Sequence, residues 1–64
     1  MRLTEFWSRM ERQFGPAYAD SVARDQSLAE LGSRTVHEAL AGGTDAKDVW
    51  RAVCDHFDLP ARVR

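Results

Sequence analysis

Cys54 and His56 are the only neighbouring reactive side chains in the sequence, and with His37 they are the residues from which a thiol nucleophile or a metal centre would be built. Two positions apart on a helix, side chains point in very different directions. Cys54 and His56 are therefore not expected to form a nucleophile and base pair or to share a metal. A structural zinc takes four ligands, and one Cys with two His falls short. The expected role of Cys54 is a small apolar filler at the edge of a core. Asp45, Asp48 and Asp55 read as first-turn and solvent-face carboxylates of a helix. Gly42-Gly43 lacks the following Lys and Ser or Thr of a phosphate-cradling loop. The sequence thus predicts no catalytic residue, no metal ligand and no cofactor, and the protein is expected not to be an enzyme.

One spacing points towards a named function. Helix-turn-helix DNA readers favour Ala, Gly and a β-branched residue at set intervals across their turn, and Ala39, Gly43 and Val49 fall at matching intervals. On that reading the segment 35–57 contacts nucleic acid through Lys47 and Arg51 near the start of its second helix. Asp45 and Asp48 stand beside these two cations and would face phosphates. Thr44 also occupies a position where such readers usually place an apolar residue. Small residues are needed wherever two helices meet at a tight corner, so the same trio serves a helical hairpin used only for packing or protein binding.

Charge weighs on the same question. Residues 1–34 carry five Arg against five acidic side chains, and residues 35–64 carry four basic against five acidic ones. A protein that tracks phosphates usually shows a basic stripe, and none is evident along this chain. The lone Cys54 fits a reducing compartment. Arg2 and Glu5 interrupt the start, and no apolar run there has secretory or membrane length, so the expected location is the cytoplasm.

The elements that must position these residues are helical. At 64 residues the chain is one small domain, in which only roughly 60% of the unfolded surface can be buried. Leu3, Phe6, Trp7, Met10 and Phe14 form a helical stripe, with Thr4 as the expected N-cap and Gly15-Pro16 as the stop. Pro16 opens a second helix to about Arg24 or Gln26. Ser27 with Glu30, and Thr35 with Glu38, both have capping-box spacing. Val36, Ala39 and Leu40 point inward from the helix that Thr35 starts, which stops at Gly42-Gly43. Thr44 or Asp45 caps the last helix, where Ala46, Val49, Trp50, Val53 and Phe57 form a second stripe and Asp48, Arg51 and Asp55 face away. Leu59-Pro60 ends it. The expected fold is an all-α bundle of three main helices plus one or two short ones, with a helix-turn-helix-like C-terminal half. Residues 1–60 form the domain, residues 61–64 fray, and Trp7 and Trp50 share one core and face each other's helices.

Three segments, Met1-Arg2-Leu3-Thr4-Glu5-Phe6-Trp7, Phe14-Gly15-Pro16-Ala17-Tyr18-Ala19 and Asp48-Val49-Trp50-Arg51-Ala52-Val53-Cys54, resemble a family of small actinobacterial proteins catalogued as a domain of unknown function. The resemblance covers nearly the whole chain. It implies a stand-alone protein of about this length, often encoded near the bacterial recombinase and its regulator, and hence a link to DNA repair. It supplies no active site to carry over. Together these readings predict a small soluble protein whose partner is another protein, with weak DNA binding or a recombination-accessory role through 35–57 as the alternative.

Overall fold

In a computed structural model, which describes residues 1–64, helix α1 spans Leu3–Phe14 and α2 spans Pro16–Asp25. Only Gly15 separates them. Its φ of +88° with ψ of 148° is a backbone state essentially reserved for glycine, and Pro16 then presets the first turn of α2. A two-residue ladder follows, in which β1 (Ser27–Leu28) runs antiparallel to β2 (Arg34–Thr35). Helices α3 (Val36–Ala41) and α4 (Ala46–His56) complete the bundle, and a 3₁₀ turn covers Ala61–Val63. This is the expected all-α architecture, with three main helices, one short helix and a further 3₁₀ turn at Ala29–Leu31 between the two strands. No helix is long and apolar enough to cross a membrane.

All fourteen buried residues are apolar, and α4 supplies six of them. Helix α1 adds Phe6 and Met10, and α2 adds only Ala19 and Ala23. Leu3 departs from its stripe and is 52% exposed, because the core begins one turn later, at Phe6. The tryptophans belong to one core as expected, Trp50 within it and Trp7 packed against it, but only Trp50 faces the other's helix. Phe6 makes a T-shaped contact with each, its ring centroid 6.1 Å from that of Trp50 and 5.3 Å from that of Trp7. Trp7 is half-buried and turns towards α3, where it packs on His37 at 5.4 Å.

The caps separate sequence motifs that close from those that do not. Thr35 and Glu38 form a full capping box: Thr35 Oγ1 accepts from the Glu38 amide, and the Glu38 carboxylate accepts from the Thr35 amide. Asp45 caps α4 by accepting from the Lys47 amide. Thr4 does not cap α1, whose N-cap is Arg2 without a side-chain bond. Ser27 and Glu30 do not close a box either. Ser27 is drawn into the ladder opposite Thr35, and Glu30 instead accepts from His56 Nδ1 at 3.1 Å.

Helices α3 and α4 end in the same way. The Thr44 amide donates to the Ala39 carbonyl and Gly43 to Leu40, while Leu59 donates to Cys54 and Asp58 to Asp55. Both are Schellman closures, which require a left-handed residue after the C-cap. Gly43 fills that position at φ +92°, and Asp58 fills the other at φ +53°.

Residues 61–64, expected to fray, fold back on α4. Val63 is half-buried against the core, and the Arg64 guanidinium donates to the Leu59 carbonyl at 3.1 Å and to the Asp55 carboxylate. The end of α4 thus offers acceptors to a cation, which is the partner the tail lacks when read as isolated sequence.

Candidate functional site

Trp50 lines two concavities on the surface of the molecule. Its place on α4 follows from the stripe Ala46, Val49, Trp50, Val53, which turns the indole towards α1 and Phe6. The ring is 3% exposed, and its Nε1–H has no acceptor within the protein. A buried donor left unpaired costs about 1–3 kcal/mol.

Two adjoining cavities open around this ring. The larger, of about 610 Å³, lies between α1 and α4 and includes Met1, Glu5, Lys47, Arg51 and Asp55 in its lining. The smaller, of about 370 Å³, is lined by Arg9, Arg12, Gln13, Trp50, Arg62, Val63 and Arg64. Trp50, Arg9 and Arg64 belong to both, so the two form one cleft.

The cleft gathers charge. Arg9, Arg12, Lys47, Arg51, Arg62 and Arg64 line it, six of the nine basic side chains in the chain. Glu5 and Asp55 are its only acidic residues out of ten, and both lie in the larger cavity. This corrects the expectation drawn from charge balance along the chain. A count by sequence halves does not register that α1, α4 and the C-terminal turn bring their cations to one side. The signal present in the sequence is that each segment carries a close pair: Arg9 with Arg12, Lys47 with Arg51, and Arg62 with Arg64.

Two of the six are tied within the chain. Arg9 donates to Glu5 at 2.9 Å and to the Arg64 backbone carbonyl at 3.3 Å, joining α1 to the C-terminal turn. Arg64 is bonded to Asp55, and that hydrogen bond holds its guanidinium more firmly in the charged form. Arg12, Lys47, Arg51 and Arg62 make no ion pair within the chain.

The residues singled out from sequence fall into separate places. Lys47 and Arg51 share an exposed strip of α4 with Asp48 and Asp55, and that strip carries no net charge. Ala39 and Val49 are buried on either side of the corner that Gly43 turns, as a helical hairpin requires. Cys54 is fully buried, and burial pushes its thiol above the ordinary value. Its carbonyl accepts from the Leu59 amide, and the residue acts as core. His56 pairs with Glu30, while His37 Nε2 donates to Asp20 at 3.1 Å and fastens α3 to α2. The structure therefore does not bring Cys54, His37 and His56 together, and no three His, Cys, Asp or Glu side chains converge as a metal-binding group.

This arrangement can bind, through guanidinium forks that match carboxylate or phosphate oxygens and through an indole N–H that lacks an acceptor. No curated protein and no solved structure matches the chain. The model of one family matches residues 1–62, almost the whole length that α1 through the C-terminal turn occupy, and the chain belongs to that family, DUF3046, proteins of unknown function.

Proposed function

We propose that the protein is a non-enzymatic binding module of the cytoplasm whose partner is another protein, docked at the cleft around Trp50. The observation that carries this reading is the convergence of six cations on a concave site with an apolar floor. Four of those cations have no intrachain partner, so the charge is free for a ligand. Interfaces favour Trp and Arg at their centres, and the cleft holds Trp50 with five of the eight arginines.

A second reading, weak duplex binding through 35–57, is favoured by the hairpin and by Lys47 and Arg51 on its exposed strip. Asp48 and Asp55 on the same strip weigh against it, because a phosphate track gains affinity from each cation and loses it beside each carboxylate.

Two experiments separate the readings. A labelled duplex is titrated at two salt concentrations with the parent and a Lys47→Glu, Arg51→Glu variant. Little or no binding by either is the expected result, and tight, salt-sensitive binding lost by the variant promotes the DNA reading to first place. The parent and an Arg12→Glu, Arg62→Glu variant are then compared as bait. A protein retained by the parent and lost with the variant supports the module. Equal retention moves the contact away from the cleft and contradicts the proposal.

A further inference from the structure

We infer that the cleft receives an acidic, amphipathic segment of the partner protein, with carboxylates held by Arg12 and Arg62 and one of them accepting a hydrogen bond from Trp50 Nε1. This rests on the reading of the protein as a binding module and names the chemistry of what it binds.

The smaller cavity supplies the first argument. It is lined by four Arg and no acidic side chain, with Gln13, Val63 and Trp50 completing the wall. Like charges gathered at one cavity repel one another, and an incoming anion relieves what the Glu5 and Asp55 pairs leave uncompensated. Arg9 and Arg64 already hold Glu5 and Asp55, so this rim is built to engage carboxylates. Arg12 and Arg62 are the two cations of the cavity that have none.

Trp50 supplies the second argument, independent of charge. Its Nε1–H is shut off from solvent and has no acceptor, and the residue lines both cavities. A carboxylate oxygen seated in the cleft provides the missing acceptor. Its approach requires the side chains that cover the atom to change rotamer, a motion that surface side chains make within nanoseconds.

The occupant is a peptide rather than a nucleic acid for two reasons. Single-stranded nucleic acids bind by stacking bases on open aromatic faces, and the Trp50 ring is 3% exposed. A duplex needs cations spread along a track, whereas these converge on a cavity of about 370 Å³. Met1, Trp50 and Val63 add apolar lining beside the charges, so an aliphatic residue between two carboxylates fits both features.

The test follows the Trp50 indole N–H resonance in a nitrogen–proton correlation spectrum, assigned with a Trp7→Phe variant. Four probes are titrated: a short peptide alternating Glu and Leu, the same peptide with Gln for Glu, a short DNA duplex, and inorganic phosphate. The Glu peptide is expected to shift the Trp50 resonance saturably, with an affinity that falls as salt rises. The Gln peptide, duplex and phosphate are expected to leave it in place. The Arg12→Glu, Arg62→Glu variant, whose own spectrum reports that it is folded, should weaken the Glu peptide by about tenfold or more. Equal shifts with the Gln peptide, stronger shifts with duplex or phosphate, or no shift with the Glu peptide each overturn the inference. If the bait comparison finds a cleft-dependent partner while the Glu peptide is silent, the module stands and its acidic ligand falls.

Discussion

Trp50 combines the packing of a core residue with the unmet polarity of a binding residue. Its ring closes the core against Phe6, so Trp50→Ala should cost about 3–5 kcal/mol, comparable to the whole stability of a small domain. Trp50→Phe keeps most of the apolar contact and removes the orphan donor, so its loss should be much smaller, about 1 kcal/mol. Urea or thermal melts of the two variants check the ordering, and equal losses would show that the apolar contact Phe retains against Phe6 does not offset the truncation. The apolar character of Trp50 is legible in its stripe, because helical periodicity is a local property. Its unpaired N–H is not legible, since whether an acceptor faces a donor depends on side chains remote in sequence.

At the scale of elements, capping chemistry decides where the chain turns. Thr35 and Glu38 close their box because no other partner competes for them, whereas Glu30 meets His56 from α4 and leaves Ser27 to the ladder. The two pairs have the same spacing, and tertiary contact alone tells them apart. Hydrogen bonds from the Thr35 amide and then its hydroxyl hold the Glu38 carboxyl below its ordinary value of 4.5. A carboxylate depressed on folding stabilises the protein above its unfolded value, and the contribution is lost as pH falls through the lower folded one. Glu38→Gln should therefore be less stable than the parent at neutral pH, with the gap closing below pH 4.5. Melts across the acid range test this, and a gap that widens in acid contradicts it. The second prediction at this scale concerns Asp58, which holds a left-handed backbone at φ +53° where α3 uses Gly43 for the same closure. Asp58→Gly relieves a side-chain clash at some cost in unfolded-state entropy, for a net gain of about 0.5–1 kcal/mol. A melting temperature at or below the parent's would show that Asp58 is not strained.

Taken as a whole molecule, the protein has balanced charge along its sequence and segregated charge in its fold. The helices, the Gly15-Pro16 corner and the Gly43 corner are legible because each depends on residues within a turn or two of one another. The cleft is not legible in the same way. It is assembled from Arg9 and Arg12 on α1, Lys47 and Arg51 on α4, and Arg62 and Arg64 in a turn that sequence alone assigns to a frayed end. On the function proposed here, this face, and not the α2 side, meets a protein partner. The most direct test replaces Arg51 on the rim, and separately the 69% exposed Tyr18 on α2, with a photo-crosslinking residue in cells that make the protein. A protein adduct formed from position 51 and absent from position 18 is the predicted result, while adducts from position 18 alone, equal adducts from both, or crosslinks from position 51 to nucleic acid would contradict the claim.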